Sequence, residues 1–301
     1  MLQKQLKQME QRRKPAKKRE KDTRDEWSRD LTRIIHSPAY RRLQSKTQVL
    51  GLGESDFYRT RLTHSMEVAQ IASGIKDYLR NKGGGADKNK WFIKQLLPAS
   101  DLIISIGLAH DLGHPPFGHG GEVALNYCMR NYGGFEGNAQ TLRIVSKLEK
   151  YKPRGYGLNP TRRLLLGVLK YPAYYESVVN ENVYKEGLAV SPCSQKPNWL
   201  FKDDFFKPPK CIYSTEKDVL EFVLIPFSDS DKELFLTVSD KPGKHSKSIY
   251  KSLDTSIMEL GDDIAYGVHD LEDAISLKMI TREVWEEYFS VENRKEIVQR
   301  C

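Results

Sequence analysis

The amino-acid sequence predicts an all-α fold. Apolar residues recur at helical spacing in most of the strongly patterned segments. The clearest, Ser256 to Leu277, carries Ile257, Leu260, Ile264, Val268, Leu271 and Ile275 along one side. Only residues 190–250 depart from that pattern, and no internal repeat is present. With 301 residues and 39% hydrophobic content, the chain can build one large domain with its own core.

The elements follow in order. Residues 1–24 hold ten Lys/Arg against three Asp/Glu, which is +7 of a total of +8, so the body beyond them is nearly neutral. Such a basic N-terminal arm suits single-stranded nucleic acid or another polyanion. It equally suits a solvated arm or packing on a neighbouring subunit. Residues 25–301 are expected to form the main domain. A loop over 51–61 leads into a helix from Thr63 to Tyr78, with Val68, Ile71, Ala72, Ile75 and Leu79 at helical spacing. Ser100 is placed to cap a helix through Leu102, Ile103, Ile106, Leu108 and Ala109, which Gly113 would stop. Residues 139–150 and 161–170 are helical in pattern. Residues 190–250 contain Pro192, Pro197, Pro208, Pro209, Pro226 and Pro242 with aromatic residues between, which predicts an irregular, lid-like insertion with short strands or helices. The last helical segment, 281–301, ends without a closing signal, which fits a naturally short form or a missing C-terminal part.

No apolar run approaches the roughly 20 residues of a membrane helix. The polar, basic N-terminus carries no secretory signal pattern. Cys128, Cys193, Cys211 and Cys301 show no C-x-x-C spacing. A cytoplasmic protein with reduced thiols and no membrane partner is expected.

The densest chemistry lies between His110 and Glu122, where His110, Asp111, His114, His119 and Glu122 fall close together in a chain with seven histidines. Imidazoles beside carboxylates suit one divalent ion: Mg or Mn first, with Fe, Co, Ni or Zn as alternatives. His64 sits on the core side of its helix. Asp262 lies within the most clearly apolar helix, a poor place for an idle carboxylate. Tyr266 and Asp270 follow Asp262 at four-residue steps, a polar stripe that fits a pocket wall or a solvated helix edge. His119 and Glu122 share a face, an arrangement suited to proton transfer. Arg61, one turn before His64, can place its fork on a phosphate.

The order His64, His110-Asp111, Asp262 resembles the H…HD…D signature of HD-domain phosphohydrolases. Segments 37–48, 59–65, 110–122, 135–140 and 262–266 resemble the deoxyguanosine triphosphate triphosphohydrolases, in their long bacterial branch, over roughly residues 25–280. Gly137 stands where many relatives carry a histidine, and a glycine is usual in that branch. The resemblance implies an HD-domain helical fold. It implies hydrolysis of dGTP or other dNTPs to a deoxynucleoside and triphosphate, by water attack on the α-phosphorus. His64, His110, Asp111 and Asp262 would hold the metal. His119 and Glu122 would be the catalytic pair, with His114 reaching a phosphate or the leaving oxygen. Gln48 would touch the purine, Arg61 a phosphate, Tyr266 the sugar and Asp270 its 3′-hydroxyl. Lys170, Lys207 and Lys210 are weaker candidates for the triphosphate. A homo-oligomer, hexameric by resemblance, is expected. Two other readings compete: a different HD-domain nucleotide phosphohydrolase, and a nucleic-acid-binding protein with a vestigial site.

Overall fold

The computed structural model describes residues 2–15, 20–47, 59–82, 94–151, 153, 155–189, 203–288 and 290. The helices begin with α1 (Leu2–Met9), α2 (Glu26–Ile35), α3 (Pro38–Arg42), α4 (Arg61–Lys82) and α5 (Ser100–Ala109). They continue with α6 (Gly118–Met129), α7 (Gly137–Arg143), α8 (Arg162–Val168), α9 (Tyr175–Val178) and α10 (Glu181–Ala189). The last are α11 (Lys217–Leu224), α12 (Asp229–Phe235), α13 (Leu253–Ser276) and α14 (Arg282–Tyr288). Strands β1 (Val238–Ser239) and β2 (Lys247–Ser248) pair antiparallel, Val238 opposite Ser248. The expected all-α class is therefore observed, with this short hairpin as the one strand pair among the described residues.

Helix α5 is the centre. Leu102, Ile103, Ile106, Leu108 and Ala109 are buried, so most of its circumference is in the core. It packs on α4, α2, α8 and α13. Each such aliphatic side chain contributes about 1.5–3 kcal/mol on burial. Side-chain caps set several helix starts. Asp25 accepts from the Ser28 amide before α2, Thr161 from Leu164 before α8, and Ser252 from Thr255 before α13. Ser100 does not cap α5. Ala99 holds that position without a side-chain bond, and the Ser100 hydroxyl accepts from Lys76 Nζ at 2.8 Å instead.

The packed face of α13 is also not the one the sequence suggests. Ile257, Met258, Gly261, Ala265 and His269 are buried, whereas Leu260, Ile264, Val268 and Ile275 are exposed. The small residues Gly261 and Ala265 let α13 lie close on α4, and that approach turns the larger side chains outward. The helical pattern over 139–150 divides into α7 and a wider π-helical stretch, Ile144–Leu148.

Part of the proline-rich stretch is core rather than lid. Val219, Leu220 and Val223 on α11 and Ile212 before it belong to the main hydrophobic cluster. Residues 190–202 of that stretch lie outside the described residues, as do 51–58 of the loop before α4 and 289 and 291–301 near the chain's end.

The head of the basic arm is folded onto the body. Arg12 is buried and pairs with Asp30 at 2.5 Å and with Glu26 at 2.5 Å, and donates to the Asn159 carbonyl at 2.7 Å. The second oxygen of Asp30 accepts from the Thr161 amide and hydroxyl. Arg162 donates to the Gln8 carbonyl at 2.5 Å, and Arg13 pairs with Asp218.

Candidate metal centre

Three core helices converge on one point. His64 comes from the first turn of α4, His110 from the end of α5 and Asp262 from α13. Their ligand atoms lie within 4.8 Å of one another. His64 Nε2 is 3.0 Å from Asp262 Oδ1, and His110 Nε2 is 3.6 Å from the same oxygen. His110 Nδ1 lies 2.7 Å from the Gly107 carbonyl, an acceptor only, so Nδ1 carries the proton and Nε2 keeps its lone pair. That Nε2 is buried and has no hydrogen-bond partner. An orphaned imidazole lone pair facing a carboxylate is a donor set that a divalent cation fits. Asp263, beside Asp262, is exposed.

Asp111 borders this group. Its Oδ1 is 3.4 Å from His110 Nε2 and 3.0 Å from His114 Nδ1, and its Oδ2 accepts from Arg61 at 2.5 Å. Arg61 thus holds a carboxylate. Burial alone would raise the Asp111 pKa, but His110, His114 and Arg61 outweigh it and hold the carboxyl well below its ordinary value. Burial also opposes ionisation of Asp262, and the His64 hydrogen bond with His110 and Lys170 nearby reverses it downward. Burial pushes the His110 pKa down, which favours the neutral, ligating form. For His114 burial pulls the same way, but Asp111 prevails and raises it.

A turn links this group to α6. Gly113 has no room for a side chain, since a Cβ there would lie 2.2 Å from the Gly137 carbonyl oxygen. Phe117 precedes α6 in the left-handed region at φ 66° and is 88% exposed. His119 and Glu122 follow. Glu122 is buried, accepts from the Gly137 amide at 2.8 Å, and lies 3.4 Å from His119 Nδ1. Burial raises the Glu122 pKa, yet His119, Lys210, His114 and the Gly137 amide bring it down to about 2. The His119 side chain itself is 79% exposed. A Cβ at Gly137 would come within 3.0 Å of the His114 ring and 3.1 Å of Glu122 Oε1, so any larger residue there must displace one of them.

The wider wall is open. Tyr266 and Asp270 are exposed and follow Asp262 along α13. Gln48 lies outside the described residues, and Lys46 beside it donates to the His114 carbonyl at 2.7 Å. Lys170, Lys210 and Lys251 surround the Tyr171 ring at 6.0, 5.7 and 5.8 Å from its centroid. Lys170 pairs with Glu259 and Lys210 with Glu136. Lys207 is exposed and pairs with Asp204. Tyr171 and Lys251 escape a sequence reading because their only signal is proximity to other lysines after folding. Glu67 and His269 escape it as well, although His269 lies on the buried face of α13.

Residues 61–157 match the family model described as the HD domain. The chain is 53% identical over 279 residues to "Deoxyguanosinetriphosphate triphosphohydrolase-like protein 2" of Deinococcus radiodurans, covering 93% of this chain and 60% of that protein. It is 51% identical over 280 residues to the "Deoxyguanosinetriphosphate triphosphohydrolase-like protein" of Shewanella woodyi, covering 92% and 59%. The protein of that name from Vibrio parahaemolyticus is 50% identical over 272 residues, covering 89% and 58%. The chain thus spans about three-fifths of the length of these relatives.

Proposed function

We propose that this HD-domain chain, a relative of the deoxyguanosinetriphosphate triphosphohydrolase-like proteins, is a metal-dependent triphosphohydrolase that converts dGTP and water to deoxyguanosine and triphosphate. The observation that carries the reading is the convergence of His64, His110 and Asp262, with His110 Nε2 buried and unpartnered. These residues, with Asp111 at their border, would hold one divalent ion, Mg or Mn in our reading. When bound, it supplies Lewis-acid polarisation of the phosphate and a lowered pKa for the attacking water.

The chain's own groups supply the rest. His119 faces Glu122 through Nδ1, which leaves Nε2 to exchange a proton with the attacking water or the departing 5′-oxygen. The attacking water's oxygen joins the α-phosphorus, the bond from phosphorus to the 5′-oxygen breaks, and that oxygen takes a proton to become the deoxynucleoside hydroxyl. His114, whose pKa Asp111 raises, would donate to a phosphate or to that oxygen. Arg61 fixes Asp111 and would reach a phosphate oxygen once substrate arrives. The lysines around Tyr171 support a triphosphate seat. Tyr266, Asp270 and Gln48 would take the sugar, its 3′-hydroxyl and the base.

A cytoplasmic homo-oligomer is part of the same reading, and the exposed Leu260, Ile264, Val268 and Ile275 would suit contact between copies. Single-stranded nucleic acid remains the proposed partner of the arm's exposed lysines, while Arg12 and Arg13 are engaged within the chain. The test is incubation with each dNTP and Mg²⁺ or Mn²⁺, then separation of the products. Triphosphate with a deoxynucleoside is expected. Pyrophosphate or phosphate as first product would assign a different HD phosphohydrolase.

A further inference from the structure

His64 belongs to a second group of potential ligands. With Glu67, one turn on along α4, and His269 on α13, its ligand atoms again lie within 4.8 Å of one another. The His64 ring is flanked by His110 at 5.4 Å and His269 at 5.5 Å between centroids, edge-on in both cases. His269 is buried, and its Nε2 lies 2.5 Å from Glu67 Oε2. The Nδ1 atoms of His64 and His269 are both buried without a hydrogen-bond partner. The Glu67 side chain is 48% exposed, so an ion can enter from solvent. The nearby Arg59, which approaches the His269 carbonyl at 3.4 Å, is matched by Glu272 and Asp273.

We infer that His64, Glu67 and His269 form a second cation site that competes with the first for His64. Two imidazoles and one carboxylate are the donor set of many zinc sites, and this group lacks the second carboxylate, Asp111, that borders the first and adds the oxygen donors Mg²⁺ and Mn²⁺ favour. A neutral imidazole offers one lone pair, because its other nitrogen bears the proton. His64 therefore serves one ion at a time, and a zinc ion taken by Glu67 and His269 withdraws a ligand from the HD centre. The site is inhibitory by construction. That consequence rests on the proposed hydrolysis, but the binding does not.

The binding test uses metal-free full-length protein and competition for Zn²⁺ with a chromophoric chelator. Asp262→Asn, which lacks a ligand of the first group, should retain a zinc site. Adding His269→Ala should weaken it by roughly tenfold or more. Equal affinity in the single and double variants overturns the site. The functional test titrates Zn²⁺ into Mn²⁺-supported triphosphate release. Glu67→Gln and His269→Ala, checked for folding by circular dichroism, should each raise the half-inhibitory Zn²⁺ concentration about tenfold. Inhibition equal to that of the unmodified chain overturns the competition. If no dNTP is hydrolysed, the chelator experiment still decides the site.

Discussion

At the proposed metal centre, His64 is buried on α4, His110 is buried at the end of α5, and buried Asp111 lies in the turn just past it. One and two turns beyond Asp262 on α13, Tyr266 and Asp270 stand in solvent, as does His119 on α6. The two regions share a helix but not a mode of construction. The first is held by packing and by partners such as the Gly107 carbonyl and Arg61. The second offers side chains that stand open to solvent. On the proposed function, ligand geometry would be set by the hydrophobic core and selectivity by its edge.

Four substitutions break or sharpen that contrast. On the buried side, Asp111→Ala should abolish Mn²⁺ retention and lower turnover by roughly 10³-fold or more, since metal polarisation supplies several kcal/mol. Elemental analysis after gel filtration reads the first effect, and full Mn²⁺ occupancy would remove Asp111 from the ligand set. On the open side, His119→Ala should slow the chemical step by roughly 10²–10⁴-fold while Mn²⁺ content stays unchanged. Single-turnover kinetics check this, and near-normal turnover would move proton transfer to His114.

Arg12→Ala extends the comparison to a buried region with no chemistry. It takes the guanidinium away from buried Asp30, leaving that carboxyl only its Thr161 hydrogen bonds, and should cost about 3–5 kcal/mol in urea denaturation. A loss within 1 kcal/mol would mean that water reaches Asp30. The smallest effect is expected at the proposed sugar wall. Burying an unmatched 2′-hydroxyl costs roughly 1–3 kcal/mol, so dGTP should be preferred over GTP about 5- to 150-fold. Tyr266→Ala should narrow that ratio in kcat/KM, and an unchanged ratio would place the sugar on another face of α13.

What could be read in advance follows the same division. The spacing of Val68, Ala72 and their neighbours gave α4, and the apolar run after Ser100 gave α5. The His110-Asp111 pair at its end, with Asp262 on an apolar helix, marked the proposed metal centre, because core-built features leave periodic traces in a sequence. The packed side of α13 was hidden because counting apolar bulk favours Leu260, Ile264 and Val268, while close helix contact selects Gly261 and Ala265. Helix α11 was obscured by surrounding prolines although Val219, Leu220, Val223 and Leu224 hold helical spacing. The lysines around Tyr171 come from separate segments and leave no local signature.

The Arg12 clamp also sets a timetable. Its guanidinium reaches the Asn159 carbonyl across 147 residues of chain. At a synthesis rate of about 5–20 residues per second, the far half of the clamp emerges roughly 7–30 s after the near half. Throughout that interval Asp30 and Arg12 have each other but lack the Thr161 and Asn159 partners that satisfy them in the finished fold. The N-terminal segment of a nascent chain can therefore meet α2 early but completes its seat only when residues 159–161 have been made.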